Sequence, residues 1–312
     1  MDCAFATGRM ASTVESYEFL SKGDEYNTAF DYFSRGRQEQ QQLWIVDQLI
    51  PKISGSLKNC AGTWRVLAVG PGNGPVDLLI VAELVKIINE LKGGSKPMTI
   101  SWTVVEPNET AMAEFKRKVE DRSLSCVRFE WINKTFDEFM TTWDANSDKF
   151  HLVHFVHCLY YMQEDLALKT TMEQLLEPNG HLLVVVGIEN DVWDMLMKGY
   201  KDKIETLAKE LHYLTNTAVI KHIGKHGWKY ETFIGKLDLE ITEIFEDDHP
   251  TGVAMLQFFM HTKQDARKCI EPQLIKEIVA FLRRLSWAKK IEGKEKIFVN
   301  DDEGVILISN SQ

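Results

Sequence analysis

The sequence predicts an α/β fold, a largely parallel sheet with helices on both faces, and three observations carry that expectation. A short apolar run, Val66, Leu67, Ala68 and Val69, empties into a turn holding Gly70, Gly72 and Gly74, and a helical apolar pattern follows over 77–91. Further strand-sized apolar runs at 100–105, 127–131, 151–155 and 181–186 alternate with helical segments, as crossover units in a sheet do. The longest apolar stretch, 181–188, is itself only strand-sized, far short of what a bilayer span needs.

The glycine turn is the most informative stretch. Glycines there let the chain turn sharply and bring backbone N–H groups close to a ligand, where a Cβ would obstruct. Pro75 suits the first turn of the following helix, because its missing N–H costs nothing at that position. A dinucleotide fingerprint would place its third glycine one residue later, where this chain has Pro75, so NAD is disfavoured. The strand over 100–105 runs into Glu106 and Pro107. An acidic residue at that carboxyl end can accept two hydroxyl hydrogen bonds from a ribose. Three alternating glycines followed by a strand ending in glutamate resemble the S-adenosylmethionine site of class I methyltransferases; a plain tight turn is the alternative.

Composition bounds the partners. With 312 residues, 44% hydrophobic and 26% charged, the chain has the make-up of a folded globular protein, as two domains or one core with insertions. The formal charge of −10 argues against nucleic acid, whose binding rests on clustered Lys and Arg, and suits a small or cationic substrate. Residues 1–24 lack an apolar signal core and are expected to form a mobile tail. The five cysteines, Cys3, Cys60, Cys126, Cys158 and Cys269, are scattered without zinc or redox spacing, which points to a reducing cytoplasm.

In chain order, 25–49 reads as a helix weakened near 34–36. Tyr26, Phe30 and Phe33 share a face there, with Glu39 just beyond; this is either a core stripe with a solvated glutamate or a binding face. A loop spans 91–97, a helix 110–121, and Asn133, Lys134 and Thr135 follow the third strand. His151, His154 and His157 do not make a metal site, because a strand's period of two turns His154 away from the others. His157, Tyr160 and Tyr161 fall just past that strand's carboxyl end, where open α/β sheets bind ligands; a packed tyrosine pair is the plainer alternative. A helix at 165–176, a turn at 178–180 and the strand at 181–186 come next, and 191–200 then carries Trp193 toward the same end of the sheet. A charged helical stretch over 201–214 precedes a strand over 228–241. Helices over 252–284 carry Met255, Phe258 and Phe259, and 296–309 reads as two strands about a turn at 301–304.

Taken together, these residues resemble the histamine N-methyltransferase family over most of the chain, about 26–308. Tyr26, Phe30, Phe33 and Glu39 fall in register with its substrate-binding helix, and Val104, Val105, Glu106 and Pro107 with its second strand end. Leu159, Tyr160 and Tyr161 match a further element, and Trp193 and Phe258 match pocket aromatics. The resemblance implies a class I, Rossmann-like seven-stranded sheet with a helical substrate-binding insertion. It implies a methyltransferase domain over 25–312, with substrate-covering elements near 25–50, 190–225 and 245–295. It further implies S-adenosylmethionine held by Gly70, Gly72, Gly74, Glu106, Thr135 and Val156, with S-adenosylhomocysteine as product, no metal, and a cytoplasmic monomer.

A small imidazole amine would then meet Glu39, Tyr26, Phe30, Phe33, His157, Tyr161, Trp193, Phe258, Asn300 and Asp301. His157 or Tyr161 would relay the proton that the methylated ring releases. Several positions depart from the family: His157 replaces a glutamine, Met197 a tryptophan, and Asn300 and Asp301 stand where it has an asparagine pair. No role is carried onto Ala111 or Phe136. Histamine, a histidine-containing dipeptide, and a non-catalytic amine binder all stay open at this point.

Overall fold

The computed structural model describes residues 30–34, 37–60, 62–90, 98–122, 124–204, 213–262 and 264–310. They form two compact units. The larger draws on Gln38–Val186, Leu214–Gly235 and Glu303–Gln312, the smaller on the described parts of Met1–Arg37, Gly187–Tyr213 and Lys236–Asp302.

The larger unit is built on a seven-stranded sheet. Its strands are β1 (Thr63–Val69), β2 (Thr99–Val105), β3 (Val127–Ile132), β4 (Phe150–Val156), β5 (Leu176–Gly187), β6 (Lys229–Gly235) and β10 (Glu303–Ser309), in the spatial order β3-β2-β1-β4-β5-β10-β6. The pairs β1–β2, β1–β4, β2–β3 and β4–β5 are parallel, and β6–β10 is antiparallel. The Asn179 N–H donates to the Asn310 carbonyl at 2.8 Å and the Asn310 N–H to the Gly180 carbonyl at 2.9 Å. The end of β10 therefore lies beside the start of β5, so β10 runs against its neighbours. Its first residue, Glu303, sits at the edge where β1, β2, β4 and β5 finish. The turn expected at 178–180 is instead an irregularity inside β5, where the register shifts.

Alternation along these strands fills both faces of the sheet. Val66, Ala68, Leu183, Val185, Val305 and Leu307 pack into one buried cluster, and Leu67, Val69, Leu182, Val184, Ile306 and Ile308 into the other. The first face is covered by α1 (Arg37–Trp44), a π-helical turn over Ile45–Leu49, α2 (Ile50–Asn59) and α3 (Pro75–Glu90). Helix does not stop at Leu49, because Pro51 falls in the first turn of α2, where no N–H is needed. On the way round the sheet lie α4 (Glu109–Glu120), α5 (Phe136–Thr141), α6 (Glu164–Thr170) and, at the second face, α8 (Asn216–His226).

The smaller unit holds α7 (Val192–Tyr200), α9 (Pro250–Met260), α10 (Ala266–Cys269) and α11 (Pro272–Leu285). It also holds a three-stranded antiparallel sheet of β7 (Asp238–Glu240), β9 (Lys294–Asn300) and β8 (Trp287–Ile291). Its core includes Leu256, Phe259, Ile278, Leu282 and Val299. The stretch read as one strand over 228–241 is thus two strands in two different sheets. Of the helix expected over 201–214, residues 205–212 lie outside the described residues, as do Tyr26 and the 91–97 loop. Among the described residues no helix is long and apolar enough to cross a membrane.

Candidate active site

The turn after β1 is shaped by two different demands on glycine. Gly70, Gly72 and Gly74 all have positive φ, at 58°, 59° and 72°, a region that L side chains enter only at a cost. A Cβ at Gly74 would lie 2.3 Å from the Phe115 ring, and one at Gly70 would lie 2.8 Å from the Cys158 Cβ. Those two glycines allow close internal packing. At Gly72 nothing lies within 4 Å of a would-be Cβ, so that position faces open space and the turn is what asks for glycine.

Glu106, at the end of β2, reaches back to this turn. Its Oε2 accepts the Gly72 N–H at 2.8 Å and its Oε1 the Asn108 N–H at 2.8 Å. Burial pushes its carboxyl above the ordinary range; the two backbone N–H bonds pull it down, and nearby Asp77 adds to the rise. Asn133 holds the strand end from outside by donating to the Glu106 and Pro107 carbonyls at 3.0 and 3.1 Å. Thr135 caps α5: its hydroxyl accepts the Glu138 N–H at 3.2 Å while its own N–H donates to the Glu138 carboxylate at 2.8 Å. Both of these groups of Thr135 are thereby engaged locally.

Beyond β4, Val156 is followed by His157 at φ 51°, whose N–H donates to the Val185 carbonyl at 2.9 Å. Cys158 is buried against the glycine turn and donates to the Val69 carbonyl at 3.0 Å, and burial pushes its thiol well up. Leu159–Tyr161 forms one 3₁₀ turn that sets the Tyr160 and Tyr161 rings 4.6 Å apart and nearly edge to face. The His157 imidazole meets a carboxylate that sequence reasoning missed. His157 Nε2 lies 2.8 Å from Glu303 Oε1, which also accepts from Gln41 Nε2 at 2.8 Å, while Glu303 Oε2 accepts from Trp44 Nε1 at 3.0 Å. Glu303 is fully buried. Gln41 and Trp44 share the inward face of α1, whereas Glu39 is off that face, exposed and without a partner among the described residues.

His154 is fully buried, 3.3 Å from Asp77, which accepts the Trp102 indole N–H at 3.1 Å. His151 instead accepts the Arg65 N–H at 3.1 Å. The three histidines do not converge, and among the described residues no group of three or more His, Cys, Asp or Glu could hold a metal ion.

In the smaller unit four of the predicted aromatics do converge. Phe33 and Phe258 have ring centres 4.6 Å apart, Trp193 lies 5.8 Å from Phe33 and 5.5 Å from Phe258, and Phe30 lies 5.9 Å from Phe258. Phe259 and His261 join them, Phe259 at 4.8 Å from Trp193 and His261 at 6.3 Å from Phe258. Burial pushes His261 down to about 4, which keeps it neutral at pH 7. Arg37 lies over Phe33 at 4.6 Å and pairs with Asp301 at 3.1 Å, both side chains buried. Asn300 folds locally, accepting the Asp302 N–H at 2.8 Å. Arg37 was invisible to pattern reading, which takes a lone cation on a helix as solvated.

A family model described as a methyltransferase domain matches residues 24–231. Histamine N-methyltransferase B of Xenopus laevis is 26% identical over 93% of this chain and 96% of its own length. Carnosine N-methyltransferase 2 of Gallus gallus is 27% identical over 77% of this chain and 73% of its own. The structure of a loganic acid methyltransferase with SAH (S-adenosylhomocysteine) superposes with a TM-score of 0.57 at 10% identity, covering 89% of this chain and 94% of that one. That likeness, together with the strand order, supports the class I fold expected from the glycine turn and the strand ending in Glu106. The match over two thirds of its length shows that the chain belongs to the methyltransferase-domain family, whose enzymes transfer a methyl group.

Proposed function

We propose that the chain transfers a methyl group from S-adenosylmethionine to a ring nitrogen of a small imidazole amine, histamine before others. The observation that carries this is Glu106 bonded to the Gly72 N–H at an open turn, in a chain that resembles histamine N-methyltransferases along 93% of its length. The residues suit the cofactor: Gly72 leaves room for it, and Glu106 keeps lone pairs beyond its two backbone bonds for ribose hydroxyls. Gly70, Gly74 and Val156 would line the same turn, and Thr135 would contribute backbone and methyl surface, its polar groups being engaged. S-adenosylmethionine, when bound, supplies a methyl group activated by a positively charged sulfur.

The chain's own contribution is mainly positioning. An imidazole with a pKa near the histidine value of about 6.5 is mostly neutral at pH 7 and needs no base before attack. Glu39 holds the primary ammonium. Phe30, Phe33, Trp193 and Phe258, together with Tyr26, offer aromatic faces worth about 0.5–2 kcal/mol to a cation, more as water is excluded. Asp301 and Asn300 already have partners, so the ammonium rests on Glu39 alone. His157, with Tyr161 beside the same strand end, takes the proton that the methylated ring sheds.

A second reading keeps the chemistry and changes the acceptor to a histidine-containing dipeptide. The Arg37–Asp301 pair favours it, because a neutralised Asp301 does not repel a carboxylate, and the resemblance to a carnosine N-methyltransferase agrees with it. A cytoplasmic monomer completes the proposal, consistent with the free thiols of Cys60, Cys126, Cys158 and Cys269. Mass-spectrometric detection of methylated product, with S-adenosylmethionine and histamine, histidine or a histidine dipeptide, separates the readings. Histamine turnover that collapses in Glu39→Gln supports the first and dipeptide turnover alone the second; cofactor binding without any product would refute both in favour of a non-catalytic binder.

A further inference from the structure

We propose that Glu303 is a positioning residue that fixes the tautomer of His157, leaving His157 Nδ1 as the atom that accepts the proton from the methylated imidazole; this rests on the function proposed above. Glu303 brings a carboxyl group into the core. Its side chain is fully buried at the start of β10, and a buried carboxylate persists only where donors surround it. The Trp44 indole N–H can only donate, and it meets Oε2 at 3.0 Å. The Gln41 amide meets Oε1 at 2.8 Å. A carboxylate gathering donors in this way accepts from His157 as well, so Nε2 at 2.8 Å carries the proton.

With Nε2–H committed to Glu303, Nδ1 holds the ring's lone pair, and among the described residues it has no partner. The imidazole is about 29% exposed on its side chain while its partner is 0% exposed, so the ring is anchored from behind and open in front. The backbone adds to this: the His157 N–H closes the β4–β5 ladder by donating to the Val185 carbonyl, and φ 51° at the same residue turns the chain away beyond it. The exposed histidine and the buried carboxylate behind it thereby form one unit.

The step balances without another reactant. As the new N–CH3 bond forms and the sulfur–CH3 bond breaks, the acceptor ring gains the positive charge that sulfur loses. The proton on its other nitrogen then passes to His157 Nδ1. The resulting imidazolium is stabilised through Nε2–H by Glu303 and returns the proton to water. The arrangement is that of a histidine oriented by a carboxylate, with the two ring nitrogens in exchanged roles.

The test is nitrogen NMR of the histidine-labelled protein at neutral pH, with the His157 signals assigned by their loss in His157→Gln. Nε2 protonated and Nδ1 bare is the expected spectrum, and an Nδ1–H tautomer in the wild-type protein would overturn the proposal even if no Glu303 variant folds. In Glu303→Gln the fixed tautomer should be lost and kcat should fall about tenfold or more, with KM for the amine and cofactor affinity unchanged. The same change in a His157→Gln background should leave kcat unmoved; an equal fall there would show a merely structural role and overturn the proposal. Failure to methylate any imidazole, with the Nε2–H tautomer intact, would refute the substrate reading and the proton transfer with it, and so is distinct from failure of the pairing itself.

Discussion

Arg37 and Asp301 form a buried ion pair, Nε to Oδ2 at 3.1 Å, with the guanidinium 4.6 Å above the Phe33 ring. The carboxylate that the sequence offered as a second ammonium anchor is therefore already matched by a cation. Breaking such a pair from one side is costly, because the remaining charge stays buried, whereas replacing both partners with apolar groups can be nearly neutral. Arg37→Met should lower the unfolding free energy by on the order of 3 kcal/mol. Arg37→Met with Asp301→Leu should recover most of it, as read by urea unfolding. Equal losses in the single and double variants would show that the pair carries no such balance. Arg37→Met should also lower turnover of a histidine dipeptide relative to histamine, since it restores a negative charge that repels a carboxylate.

The three glycines should separate in mutagenesis, because they answer to different constraints. Gly74→Ala sets a Cβ 2.3 Å from the Phe115 ring at φ 72°, combining overpacking with backbone strain, about 2–5 kcal/mol together. Gly72→Ala meets open space at φ 59°, so its cost is the backbone term alone, about 1–2 kcal/mol. Its cofactor affinity should fall further than its stability does. Thermal unfolding beside calorimetric titration with S-adenosylhomocysteine checks both, and a Gly72→Ala protein that binds normally would remove the turn from the site.

Much of the fold was legible because its signals are local. The strand, glycine turn and helix around Gly70 are read from neighbours in sequence, and so are the strands over 100–105 and 181–186. What escaped depends on distant pairing. The single strand expected over 228–241 breaks because the Leu237 N–H is taken by Asp302 and the chain leaves one sheet for another. Strand β8, WAKKI, shows no apolar run because nearly all of it is exposed. The same holds at the site. His157 could be singled out by its place after β4, but Glu303 lies 146 residues away and only the antiparallel direction of β10 brings it to that edge. Its one sequence signal was an acidic residue opening an otherwise apolar strand.

Glu39 gives the most direct test of substrate. It is exposed and without a partner among the described residues, so Glu39→Gln removes charge without orphaning a neighbour, and stability should change by less than about 0.5 kcal/mol. A hydrogen bond to a charged group contributes about 1.5–3 kcal/mol, so KM for histamine should rise roughly tenfold to a hundredfold. Affinity for S-adenosylhomocysteine should be unaltered. Unchanged steady-state KM would remove Glu39 from the amine site.

Asp191 links stability to pH in the smaller unit. It caps α7 by accepting the Asp194 N–H at 2.7 Å, accepts the Ile188 N–H at 3.0 Å, and receives the Tyr213 hydroxyl. Burial raises its carboxyl from the ordinary 3.8 to about 6 despite the bonds that lower it, and neighbouring Asp194 adds to the rise. A carboxyl raised on folding binds its proton more tightly in the folded chain. Its contribution is therefore greatest below pH 4 and is lost as pH climbs from about 4 to about 6, after which it is flat. The displacement from 3.8 to about 6 is worth on the order of 3 kcal/mol. Asp191→Asn keeps an oxygen for the Asp194 N–H and cannot titrate, so it should lack this slope. Unfolding free energies of the two proteins, compared from pH 4 to pH 7, should draw together or cross as pH rises in favour of the variant. A difference that stays constant across that window would mean that the folded chain does not hold the Asp191 proton.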